Sequence, residues 1–315
     1  MVNNFTPLFM LIANDVDVTA SLTLDTTTIA LSDNDGDVCD ELSISVVGDF
    51  KRPTKSDVLD FYMGYKESGL SKVGRYFVQT SERIDMQSLN ITATSVNWSE
   101  SLKESRDAKY EKTTVAGIAK TISERHKLKL KSDCEDLTIS YMAQSDESDL
   151  EFLSRVAEKF DLIYNIKNET IAMLHRTKES KKSQHLPVFI VDASECYSIS
   201  IRHSNRTYYE SATATYRDTK TNKHREVKIG DEKPTLGIKD DYKSESEATQ
   251  SAIAELSKAN RGMKSGSLSL KGELIFAGGV LNLTNAGEDS GEYSIKSVTH
   301  TLDGSGWNID VGFEA

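Results

Sequence analysis

The chain has 315 residues, 37% hydrophobic and 28% charged, with only 4 prolines and no long low-complexity run, so wholesale disorder is excluded. Its formal net charge of -11 argues against a sequence-independent grip on DNA or RNA, where Lys and Arg must neutralise phosphates. Cys39, Cys134 and Cys196 lie far apart and form no C-x-x-C, so neither a disulfide framework nor a zinc site is suggested. Small buried thiols in a reducing compartment are expected instead.

No stretch approaches the ~20 apolar residues that a membrane span needs. The apolar run Leu8 to Ala13 lacks a basic flank and a small-residue cleavage site, and it reads as a first strand rather than a signal peptide. Synthesis and folding in the cytoplasm are expected.

The first hundred residues alternate with period two. Leu22 with Leu24, then Leu42, Ile44 and Val46, predict strands with one buried face. Leu59, Phe61, Met63 and Tyr65 do the same, followed by Tyr76 with Val78 and by Leu89, Ile91 and Ala93. Asp35-Gly36 is a hairpin-type turn signal.

Near residue 100 the period changes. Thr113-Thr114 precede Val115, Ile118, Ala119 and Ile122, which are spaced as one face of a helix. Leu137 to Tyr141 predicts a short strand. Ser148 and Glu151 then have the spacing of a capping box. Leu150, Leu153, Ala157 and Phe160 share a helical face with Val156 beside them, and Glu151 precedes Arg155 by four. Leu162, Tyr164 and Ile166, a turn at Lys167-Asn168-Glu169, and Thr170 to Leu174 complete a small α+β unit.

Lys178 to His185 reads as an exposed polar connector, too short and too poor in aromatics for a nucleic-acid patch. After Pro187 strands are expected at Val188 to Val191, Ile199 to Ile201, Ala212 to Tyr216 and Val227 to Ile229. Ser244 and Glu247 predict a second capping box, with Ala248, Ala252, Leu256 and Ala259 on a helix face and Gly262 just beyond. Val280 to Leu283, Tyr293 with Ile295, and Trp307, Ile309, Val311 and Phe313 predict the closing strands, the last two joined at Asp303 to Gly306.

Tests for chemistry come out negative. If Asp33, Asp35 and Asp37 opened a calcium loop, Val38 would replace its glycine and Ile44 its bidentate glutamate, so an acidic turn is expected. His126, His175, His185, His203, His224 and His300 show no ligand spacing. His300 and Asp303 suggest an acid–base pair but flank a predicted turn. There is no G-x-S-x-G and no glycine-rich phosphate loop. A carboxylate pair for glycan cleavage stays open among the scattered acids. No enzyme activity, cofactor or metal is expected.

One pattern is specific. Gln144, Glu147-Ser148-Asp149-Leu150, Phe152-Leu153, Arg155 and Ala157 resemble the signature of the late control protein D family, the baseplate hubs of contractile phage tails. The hub part of type VI secretion spike proteins is similar. The likeness extends to Asp40 through Ile44, to Gly64-Tyr65 with Gly74 through Val78, and to Leu102-Lys103 with Arg106. It ends at Gly291, Tyr293, Ile295, Val298 and His300. Val156 stands where the family carries Leu, and Leu270 to Leu274 lacks the usual proline after its glycine.

The resemblance implies a mainly β protein with an α+β part: two tail-tube-like β-barrel domains separated by a small α+β domain. The boundaries expected are 1–100 and 187–315 for the tube-like domains, 101–176 for the middle domain and 177–186 for a linker. It implies a structural homotrimeric ring that adapts the hexameric tail tube to the trimeric spike. Tape-measure and baseplate wedge proteins would be further partners, and the assembled tail or tail-like particle the final location. A single continuous sheet, or a middle unit lining the channel, would count against this arrangement. Two other readings stand beside it: a hub carrying peptidoglycan hydrolase activity, and a tip module that binds a cell-surface glycan or receptor.

Overall fold

A computed structural model describes residues 5–35, 39–55, 57–95, 104–176, 186–204, 207–218 and 221–315. The expected connector at Lys178 to His185, Leu102-Lys103, and Gly36 to Val38 of the acidic turn lie outside the described residues.

The chain opens with β1 (Pro7–Ala13), β2 (Val16–Asp17), β3 (Thr27–Asn34), β4 (Glu41–Val47), β5 (Val58–Tyr65), β6 (Gly69–Ile84) and β7 (Ser88–Thr94). The middle part holds β8 (Ser105–Thr114), α1 (Val115–Arg125), β9 (Lys129–Ser132), β10 (Thr138–Ser148), α2 (Asp149–Phe160), β11 (Leu162–Lys167) and β12 (Thr170–His175). The last part holds β13 (Val188–Asp192), β14 (Ser198–His203), β15 (Ser211–Asp218), β16 (Lys223–Ile229), β17 (Thr235–Tyr242), α3 (Glu245–Asn260), β18 (Lys264–Lys271), β19 (Val280–Thr284), β20 (Gly291–Asp303) and β21 (Gly306–Glu314). The protein is thus mainly β, as its alternating pattern predicts. Leu22 and Leu24 are an exception: they sit in the turn before β3, where they still pack against the core.

The first and last parts are not two separate barrels. They share one 13-stranded sheet in the order β14-β18-β21-β20-β3-β4-β7-β6-β5-β1-β2, with β19 on β20 and β13 on β19. The join is the antiparallel β3–β20 pair, running from Ser297 opposite Asn34 to Leu302 opposite Ile29. Directly opposed residues share a face of a sheet. Ile29, Leu31 and Asp33 therefore line one buried face with Leu302, His300 and Val298. One hydrophobic core spans the join, from Phe9, Phe61 and Met63 to Trp307, Val311 and Phe313. Among the described residues the sheet does not close on itself.

The middle part has its own core around Phe152, Leu153, Val156, Ile118 and Ile171. The β8–β10 ladder and the β11-β12-β9 sheet frame α1 and α2. Both helices start as their sequences predict: Thr114 accepts from the Gly117 amide, and Ser148 and Glu151 complete a reciprocal capping box. Asp161 ends α2 in the left-handed region at φ 55°. The predicted second box closes only halfway. Ser244 accepts from the Glu247 amide, but the Glu247 carboxylate turns to the Lys243 amide and to Lys159 of α2. In the last part β16-β15-β17 form a separate three-stranded sheet under α3, with Ala212, Ala214, Ala248 and Ala252 at the contact. Of the cysteines only Cys134 is fully buried, while Cys39 and Cys196 are half-buried.

Candidate functional site

The signature residues converge on a fully buried carboxylate, Asp149, at the first position of α2. Arg125 from the end of α1 donates to both of its oxygens at 2.7 and 2.8 Å. His126, the residue after α1, reaches it at 2.7 Å, Gln144 Nε2 donates at 2.9 Å, and Arg106 of β8 lies at 3.4 Å. Burial alone would raise this carboxyl, but the hydrogen bonds from Arg125, Gln144 and His126 hold it below its ordinary value. The positive end of the α2 dipole favours the same charge.

Around it, Glu147 pairs with Arg155, whose guanidinium also donates to the Ala143 carbonyl at 2.8 Å. A bulge between Gln144 and Glu147 aims these side chains. Phe152 stacks on Tyr110 at 5.1 Å, Leu153 and Ala157 are buried, and Leu150 is half-buried. This constellation fastens α1, α2, β8 and β10 together. Its carboxylate is saturated with donors and offers no free base.

Gly291, Tyr293 and His300 lie on β20, far from that cluster. Tyr293 donates to the Asp289 carbonyl at 2.7 Å and meets the Phe313 ring edge-on. His300 is fully buried at the β3–β20 join, its Nε2 3.0 Å from the Ile275 carbonyl. Burial pushes its pKa down to about 4, so it is neutral there. Asp303 does not pair with it; that carboxylate accepts from the Ser305 amide in the closing turn.

Asp33 and Asp35, at the start of the acidic segment, are held in buried ion pairs. Lys167, at the end of β11, pairs with Asp33 and lies 3.5 Å from Asp40. Burial, with Asp33 adding repulsion, pushes the Asp40 carboxyl up to about 8. Beside it the Arg75 amide donates to Asn168 Oδ1 at 3.1 Å, and Ser95 Oγ donates to the Ile166 carbonyl at 3.2 Å. A second set lies close by: Arg176 pairs with Asp35 and Asp161, and Arg261 pairs with Asp161. These pairs dock the middle part onto both ends of the chain. No local pattern announces them, because every ion pair except Arg176–Asp161 joins residues 100 or more apart in sequence.

The large sheet ends in unpaired edges. One is β14, with Tyr197 beside it 66% exposed, and another is β13, on the branch through β19, with Ile190 69% exposed. At the far end are β1 and β2, with Phe5, Leu8 and Val16 exposed. Open edges flanked by apolar side chains are templates for pairing with another chain.

The sequence profile of the phage tail baseplate hub family (GPD) matches residues 76–306. The chain belongs to that family.

The matched span contains both the α2 signature and the β20 positions. The probable baseplate hub protein of Escherichia phage 186 is 25% identical over 230 residues, 71% of this chain and 59% of that protein. That of Escherichia phage P2 is 29% identical over 163 residues, 50% of this chain and 42% of that protein. The chain thus spans less than two thirds of the length of these hub relatives. Among solved structures, a tail protein from Neisseria meningitidis MC58 has a TM-score of 0.73 at 8% identity, covering 98% of this chain and 97% of that one. The 43 kDa tail protein of prophage MuSo2 from Shewanella oneidensis has 0.66 at 11%, with 97% of each chain covered. An Escherichia coli type VI secretion component has 0.57 at 11%, covering 92% of this chain and 73% of that one. These likenesses show a shared fold. No helix among the described residues is long and apolar enough to cross a membrane.

Proposed function

We propose that three copies of this chain form a ring that joins a hexameric tail tube to a trimeric spike. Residues 1–100 and 187–315 act as two tube-like units side by side, 101–176 as an outer unit, and 177–186 as the linker between them. Each tube-like unit is one half of the large sheet, and the sheet closes into a barrel only when copies meet. Three chains then present six tube-like units to the tube and keep threefold symmetry toward the spike. Tape-measure and wedge proteins are further contacts of the same particle. The role is structural, without catalysis, and the place of action is the baseplate of the assembled tail.

The family match over residues 76–306 carries this reading; the continuous sheet across β3 and β20 rules out two barrels closed within one chain and leaves edges open at β14 and at β1–β2. An open sheet with apolar side chains near both edges needs a partner, and a cyclic assembly supplies one to every edge. The test is the mass of the purified chain in solution, with electron-microscope class averages of the same sample, alone and with a spike protein. A threefold ring with an open centre, in either sample, supports the reading. A monomer that ignores the spike overturns it.

A further inference from the structure

The ends of β9 and β12 bring together three side chains that the function above does not use. These strands are parallel neighbours, with Ser132 opposite Met173, so Asp133 and Cys134, just after β9, come beside His175, the last residue of β12. Asp133, Cys134 and His175 each offer one ligand atom there, all within 4.8 Å of one another. Cys134 is fully buried, Asp133 is 7% exposed and His175 is half-buried.

The groups are already oriented. The His175 amide donates to Asp133 Oδ1 at 2.8 Å, which fixes that carboxylate. Its other oxygen, Oδ2, is buried and has no hydrogen-bond partner. Leaving a buried acceptor unanswered is costly, and such an atom asks what answers it. His175 Nε2 lies 3.1 Å from Asp136 Oδ1. A proton held on Nε2 by that carboxylate leaves Nδ1 as a lone-pair donor, the arrangement by which outer carboxylates orient metal-bound histidines. Cys134 Sγ lies 3.3 Å from the Met173 carbonyl and 3.5 Å from Asp133 Oδ1.

We propose that Asp133, Cys134 and His175 bind one divalent, thiolate-accepting metal ion of the zinc class, oriented from outside by Asp136. Thiolate sulfur, imidazole nitrogen and carboxylate oxygen are the mixed donor set of a tetrahedral site, with the fourth position left for water. Calcium and magnesium, which take oxygen ligands, do not suit it. Binding converts the Cys134 thiol to a thiolate–metal bond and releases one proton to solvent. In the metal-free protein, burial and then the Asp133 charge push that thiol well above its ordinary value. A bound dication reverses this. The ion would clasp β9 to β12, the last strand of the middle part, and so stiffen the unit that Lys167 and Arg176 dock to the sheet.

The test uses the full chain, reduced and freed of metal, titrated with cobalt(II). One cobalt per chain, with a thiolate-to-cobalt charge-transfer band that zinc abolishes, is the expected result. Cys134→Ser should lose the band, whereas Cys39→Ser and Cys196→Ser should keep it. Since Cys134 is in the core, the more exposed positions give an independent reading. His175→Gln should abolish or greatly weaken binding, and Asp136→Asn should weaken it about 10- to 100-fold, both with unchanged circular dichroism. No charge-transfer band, or a band that survives Cys134→Ser or is indifferent to His175→Gln, overturns the proposal.

Discussion

Lys167 Nζ lies 3.5 Å from Asp40 and also pairs with Asp33, so a single ammonium from the middle part answers two buried carboxyls of the large sheet. Removing it leaves both without a cation. Lys167→Met is expected to cost about 3 kcal/mol, the scale for breaking a buried pair from one side. Urea unfolding of the variant should show the loss, and an unchanged midpoint would refute it.

The same cluster makes stability depend on pH. Asp40 holds its proton up to about 8 in the folded chain but only to about 3.8 when unfolded. Its contribution is fully present below pH ~4, declines as pH rises and is gone above pH ~8. Asp40→Asn imitates the protonated form. It should raise stability near neutrality above that of the parent chain and remove the decline between pH ~4 and ~8, read from denaturant midpoints across that range.

His300 acts in the opposite direction. Its folded pKa is about 4 against 6.5 in the unfolded chain, because burial disfavours the charged ring. Its contribution is therefore present above pH ~6.5 and lost as pH falls toward ~4. His300→Gln removes this titration. It should lower stability near neutrality by about 1–3 kcal/mol through the exchanged buried contact to Ile275, and the acid slope should become shallower.

Asp149 is the centre of the middle part. Asp149→Ala leaves Arg125 and His126 without their carboxylate and is expected to cost about 3–5 kcal/mol. Ser148→Ala removes only the α2 cap, for about 1 kcal/mol. Leu153→Asp puts a charge into the core and should unfold this part. Proteolysis and near-ultraviolet circular dichroism separate the three, and a soluble, normally folded Leu153→Asp would contradict its burial.

The open edges can be tested without touching the core. Ile190→Lys on β13 and Tyr197→Glu just before β14 alter exposed positions, so monomer stability should change by no more than about 0.5 kcal/mol. Ring formation, measured by mass in solution with the spike protein present, should fall sharply if either edge meets another copy. Full assembly of the double variant would move the interface elsewhere.

The local patterns were legible in the letters. Period-two runs mark most strands, the Ser148–Glu151 box and its apolar stripe mark α2, and the change of period near residue 100 marks the α+β middle. These features depend on residues a few positions apart, and backbone geometry links such residues directly. Leu22 and Leu24 mislead because alternation over two residues cannot distinguish a strand from a turn that buries alternate side chains. The pairing of β3 with β20, the partners of Asp149, the double use of Lys167 and the meeting of Cys134 with His175 were decided only by tertiary structure. Each depends on which strand edges and helix ends come together across tens to hundreds of residues. Hydrophobic pattern tells a strand which face to bury, but not which edge to pair, so the one sheet that replaces two barrels could be seen only once the chain was folded.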